Sequence, residues 1–112
     1  MSVIIYHNPK CSKSRETLNL LKENGIDPEI VLYMDTPPDR AAFHDLLKKL
    51  GLEAKDILRS SEGKDAGLSP DMDADALIDG LIANPRAIQR PIVVKGDRAV
   101  LGRPPENVFD LI

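Results

Sequence analysis

Hydrophobic positions along this chain change period several times, and each change marks an element. The apolar run "SVIIY" (2–6) is short and β-branched, which predicts a buried strand. "SRETLNLLKEN" then repeats at helical spacing with Leu18 and Leu21 on one face, and Gly25 stands where a left-handed C-cap would end the helix. A second strand is predicted in "PEIVLY" from Pro28. In "MDTPPDR", Thr36 is expected as the N-cap, with the prolines in the first turn of a helix whose stripe is Phe43, Leu46, Leu47 and Leu50 and whose end is Gly51. A short helical piece from Ala54 to Leu58 follows; after Arg59, "SSEGKDAGLSPDMD" has the Ser, Gly and Asp content of a surface loop. Asp73 is expected to cap another helix that turns Leu77, Ile78, Leu81 and Ile82 inward and stops at Asn84, before Pro85. "PIVV" and "RAVL", joined by Lys95, Gly96 and Asp97, predict a hairpin, and a last short helix is expected from Glu106 to Ile112.

The order is thus β-α-β, helices, then β-β-α. With the early pair of strands parallel and the late pair antiparallel, this order suits an α/β, thioredoxin-like fold: a four-stranded mixed sheet with flanking helices and a helical insertion. A chain of 112 residues with 42% hydrophobic content supports one ordinary core, so residues 1–112 are expected to form a single domain. A thioredoxin-like fold places a reactive cysteine after the first strand and commonly a cis-proline beside it, just before the third. Pro91 in "QRPIVV" holds that place, and because cis bonds are nearly confined to X-Pro, the Arg90–Pro91 bond is expected to be cis.

Charge and cysteine usage narrow the function. With 18 acidic against 15 basic residues, the net charge of -3 argues against general nucleic-acid binding, so any anion site must be local. One cysteine cannot make an internal disulfide. Neither an export signal nor a span of about 18 apolar residues is seen, so the reducing cytoplasm is the expected compartment and no membrane partner is expected. A monomer is expected.

That lone cysteine lies in "YHNPKCSKSR", among a histidine, two lysines and an arginine, where the first strand turns into the first helix. N–H groups and the macrodipole at a helix start favour a thiolate there. A free cysteine is only a few per cent ionised at pH 7, and lowering its pKa by roughly two units requires about 2.7 kcal/mol. A helix N-terminus supplies about 0.3 to 2 kcal/mol, so charged neighbours must add the rest. His7, Lys10, Lys13 and Arg15 are the local candidates. Ser14 stands where a dithiol oxidoreductase would carry its second cysteine, which favours monothiol chemistry; its hydroxyl is placed to hydrogen-bond the thiolate. Asn8 is expected to shape the loop and His7 to tune the thiol electrostatically. The phosphatase-like C-x5-R anion loop is excluded, because Arg15 lies four positions after Cys11. No Cys/His spacing supports a metal site. His44 is expected to be a surface residue, and Glu62, Asp65, Asp71 and Asp73 to serve solvation and capping.

Four separated motifs, "HNPKCSKSRETL", "ILR", "QRPIVV" and "LGRPPE", resemble in order and spacing the glutaredoxin-dependent arsenate reductases of the ArsC type, over nearly the whole chain. The resemblance implies that Cys11 is the nucleophile and that Arg59, Arg90 and Arg103 hold the oxyanion. It further implies reduction of arsenate to arsenite through a thiolate adduct, with no bound cofactor, glutathione as co-substrate, and glutaredoxin releasing the mixed disulfide. Any one of the three arginines, taken alone, would be an ordinary surface residue. Three in the family's order argue otherwise, and guanidinium forks match a tetrahedral dianion better than lysines do. Two other classes look alike through "RP": glutathione-dependent thiol reductases, and thiol-based regulators binding RNA polymerase. Both are similar up to Arg90 but lack the arginine that Arg103 supplies, which favours the arsenate reductases.

Overall fold

A computed structural model describes residues 2–112. Strand β1 (Val3–Tyr6) alternates as a half-buried strand should, with Val3 and Ile5 turned into the core. It pairs in parallel with β2 (Glu29–Val31) and antiparallel with β3 (Ile92–Lys95), which pairs antiparallel with β4 (Arg98–Leu101). The sheet order is β2-β1-β3-β4. Lys95 lies in β3 opposite Arg98, so the hairpin loop is Gly96-Asp97 alone. Gly96 has φ +64, the left-handed conformation that a two-residue hairpin turn asks of its first position. The result is the thioredoxin-like α/β fold: a four-stranded mixed sheet, flanking helices and a helical insertion.

Two compact units make up the chain, one formed by the chain up to Thr36 together with Arg90–Ile112, the other by Pro37–Gln89. In the first unit, Val3, Ile5 and Val93 from the sheet are packed with Leu21 of α1 (Ser12–Glu23), and with Val108 and Leu111 of the C-terminal segment. That segment contains a 3-10 helix, Pro105–Asp110, with Leu111 as its C-cap. Helix α1 ends as its glycine implies: Gly25 has φ +76, and the N–H groups of Gly25 and Ile26 return to the carbonyls of Lys22 and Leu21.

The second unit is helical. Helix α2 (Arg40–Leu50) buries Phe43, Leu46 and Leu47 and stops at left-handed Gly51. Its N-cap is Asp39, whose carboxylate accepts the Ala42 N–H at 2.8 Å, and not Thr36, whose hydroxyl donates to the Leu32 carbonyl. The expectation for Thr36 fails because Pro37 and Pro38 stay outside the helix, leaving the first free N–H groups to the aspartate behind them. The Ser/Gly/Asp stretch is also not all loop: Ser60–Asp65 forms α3, a six-residue helix. Gly63 is used there for closeness, since a Cβ would lie 2.7 Å from Leu58 Cδ1. Helix α4 (Ala74–Ala83) buries Leu77, Ile78 and Leu81, and Asp73 precedes it without a side-chain capping bond. Two 3-10 turns, Ala54–Ile57 and Pro85–Ala87, complete the unit. Exposed pairs of Arg40 with Asp79, and of His44 with Asp75 at 3.4 Å, link α2 to α4. Among the described residues no helix is long and apolar enough to cross a membrane.

Candidate functional site

Sheet register sets the site. Tyr6, the last residue of β1, is opposite Ile92, the first of β3, and Ile92 is opposite Leu101, the last of β4. The chain therefore leaves β1, enters β3 and leaves β4 at one end of the sheet, which brings the loop to Cys11, the Arg90–Pro91 pair and the Gly102–Arg103 pair together. The Arg90–Pro91 bond is cis. So is Arg103–Pro104, for which no expectation was drawn from the sequence.

Between β1 and α1 the loop is held by its own polar groups. His7 N–H donates to the Val31 carbonyl at 2.9 Å. Asn8 Oδ1 accepts the Lys10 N–H at 3.0 Å, and the Asn8 carbonyl accepts the Cys11 N–H at 3.0 Å. Asn8 thus folds the loop back on itself as an Asx turn does. Ser14, fully buried, accepts the Asn8 N–H at 3.0 Å and lies 2.6 Å from His7 Nδ1. Its hydroxyl is occupied by the loop; the Ser14 group that acts on the sulfur is its backbone N–H. Arg15 donates from Nη1 to the Pro9 carbonyl at 2.9 Å, bracing the loop from outside.

Cys11 is the N-cap of α1, with extended backbone (φ -96, ψ 123), and is partly exposed. Burial pushes its pKa up, but the N–H of Ser14, the guanidinium of Arg90 and the N–H of Lys13 outweigh it, so the thiol is held below its ordinary value. Hydrogen bonding to the sulfur comes first among these stabilising influences, and the charge of Arg90 adds to it. Arg103 adds a second guanidinium: its Nη1 lies 3.9 Å from Cys11 Sγ and donates to the Arg90 carbonyl at 3.2 Å.

His7 behaves differently from the cation considered from sequence. Burial first, then the charges of Arg15 and Lys22, push its pKa below 6.5, so the ring is neutral at pH 7. Protonated on Nε2, it lets Ser14 Oγ donate to Nδ1 while accepting the Asn8 N–H.

Arg59 belongs to the second unit, as the N-cap of α3, where its Nε donates to the Glu62 carboxylate at 2.9 Å. Three residues not singled out from the sequence also shape the first unit's site. Thr17 is fully buried on α1, Gly102 packs against Thr17 and Pro91, and Asn107 bonds to the chain around Arg103. Thr17 is one helical turn from Leu21 and so on its buried face, a signal readable in the sequence; Asn107 carried none. Among the described residues no group of His, Cys, Asp and Glu is gathered for a metal.

The model of the ArsC family matches residues 6–111. Over 98% of its length the chain is 51% identical to the uncharacterized protein YfgD of Escherichia coli K12, covering 96% of that protein. It is 45% identical to an arsenate reductase of Neisseria meningitidis, over 93% of this chain and 92% of that one. Its fold matches the structure of an arsenate reductase from Vibrio cholerae with a TM-score of 0.91 and 44% identity, covering 100% of this chain and 98% of the other.

Proposed function

The chain belongs to the ArsC family, and on that footing we propose that it is an arsenate reductase using Cys11 as nucleophile, with glutathione and glutaredoxin as electron donors. One observation carries the reading: a cysteine of lowered pKa at a helix start, with the guanidinium groups of Arg90 and Arg103 against it. Arsenate at neutral pH is a tetrahedral dianion, and paired N–H donors on cationic forks suit its oxygens. In this reading Arg90 serves both the thiolate and the oxyanion, Arg103 the oxyanion, and Arg59 enters as the third arginine of the resemblance. His7, Asn8, Ser14 and Arg15 fix the loop that aims the sulfur.

The thiolate attacks arsenic, a sulfur–arsenic bond forms, and one arsenate oxygen leaves as water after protonation. A glutathione thiolate then attacks Cys11 Sγ. The sulfur–sulfur bond forms as the sulfur–arsenic bond breaks, and its electron pair stays on arsenic, which departs as arsenite. Cys11 is left in a mixed disulfide with glutathione. The chain holds one cysteine, so no internal thiol can resolve it, and a glutaredoxin thiolate takes the glutathione and returns the Cys11 thiolate. Two thiols supply the two electrons that arsenic gains. Such chemistry belongs in a reducing compartment such as the cytoplasm.

Purified protein with glutathione, glutaredoxin, glutathione reductase and NADPH should oxidise NADPH when arsenate is added, and Cys11→Ser should abolish the response. Arg90→Ala and Arg103→Ala should each raise the arsenate KM by about 10- to 100-fold, the loss of one or two charge-assisted hydrogen bonds. Arg59→Ala tests the third arginine in the same assay. Turnover of glutathione mixed disulfides with no response to arsenate would assign the chain to the thiol reductases instead.

A further inference from the structure

Arg103 projects from a segment beyond the sheet: β4 ends at Leu101, and Pro104 and Pro105 have no N–H to donate. Yet the three successive carbonyls of Leu101, Gly102 and Arg103 each receive a side-chain hydrogen bond. Asn107 Nδ2 donates to the Leu101 carbonyl at 3.0 Å and to the Arg103 carbonyl at 3.2 Å. Thr17 Oγ1 reaches the Gly102 carbonyl at 3.3 Å. An amide nitrogen carries two hydrogens and can serve both of its carbonyls, whereas the one hydroxyl proton of Thr17 is shared with the Lys13 carbonyl, at 2.8 Å. Asn107 therefore provides the firmer hold. On the inner side there is no slack: Gly102 N–H donates to the Pro91 carbonyl at 2.9 Å. A Cβ on Gly102 would lie 2.6 Å from Thr17 Oγ1 and 2.8 Å from Pro91 Cγ.

The geometry points to Asn107 as a positioning residue for the anion site, fixing the backbone on both sides of Gly102 from which Arg103 reaches Cys11. The inference rests on the reading of Cys11 and Arg103 as the arsenate site. A guanidinium on a long, flexible side chain binds an oxyanion well only if its root is already ordered; otherwise binding must order it and affinity falls. Asn107 has no bond to the sulfur. The groups that hold the Cys11 pKa down, the N–H groups of Ser14 and Lys13 and the guanidinium of Arg90, lie on other segments. Removing the Asn107 amide thus weakens anion capture and leaves thiolate formation in place.

The test is Asn107→Ala, read by the rate at which iodoacetamide alkylates Cys11, as a function of pH and of arsenate concentration. The arsenate concentration that halves alkylation should rise about tenfold, the size expected for two neutral hydrogen bonds. The pH midpoint of alkylation should stay at the wild-type value, and the arsenate KM should rise with little change in kcat. Thr17→Val, which keeps the side-chain volume, should give a smaller rise with the same unmoved midpoint, and it carries the test if Asn107→Ala does not fold. An unchanged half-protecting concentration in the folded variants overturns the inference, as does a midpoint that moves together with it, which would mean general loosening of the site. If arsenate fails to protect even the wild-type protein, the arsenate reading itself falls, and this inference with it.

Discussion

At Cys11 the balance of opposing terms can be followed group by group. Burial favours the neutral thiol, and the Ser14 N–H, the Arg90 guanidinium and the Lys13 N–H favour the thiolate and together outweigh it. Arg90 is the guanidinium among the groups that lower the pKa; Arg103, with Nη1 3.9 Å from the sulfur, is not one of them. Arg90→Ala should therefore move the Cys11 titration upward, while Arg103→Ala should leave it nearly in place although both weaken arsenate binding; alkylation rates against pH separate the two. His7 gives a second pH signature. Its folded-state pKa lies below the unfolded value of 6.5, so the unfolded chain takes up the proton first as pH falls. The stability that neutral His7 contributes is complete above 6.5 and is lost as pH drops through the lowered folded value. Urea unfolding at a series of pH values should show this loss in the wild type and a flatter curve in His7→Asn.

Among the elements, those written in period and turn chemistry were legible: β1, α1 with its Gly25 end, the stripe of α2, and the β3–β4 hairpin. Composition misled where it competed with local packing. Ser, Gly and Asp between 60 and 65 read as loop, but Gly63 is there to let the backbone approach Leu58, and the Arg59–Glu62 pair at 2.9 Å spans the first turn of α3. Thr36 drew attention as a cap because prolines follow it, whereas Asp39 makes the bond. Asp39→Ala should destabilise the protein by about 1 kcal/mol in urea unfolding, with Thr36→Ala near neutral; the reverse order would restore the cap to Thr36. At the site, Cys11 was legible as a thiol at a strand-to-helix junction, and Arg90 and Arg103 through the resemblance. The roles of Ser14 and Asn107 were not, because each depends on which partner atom a hydroxyl or amide meets across six or more residues or across a strand end.

For the molecule as a whole, the site is an exception to the surrounding charge. A chain of net charge -3 attracts no anion at long range, so the proposed arsenate capture rests on a local cluster assembled by register: the ends of β1 and β4 and the start of β3 meet at Tyr6, Leu101 and Ile92. Because the chain has one cysteine, the ultraviolet absorbance of its thiolate titrates that cluster directly. The decisive measurement is this titration in the folded wild-type protein. A midpoint clearly below the free-thiol value of about 8.5 is expected. A midpoint at or above that value would contradict the claim that Cys11 works as a thiolate under the influence of Arg90 and the helix start.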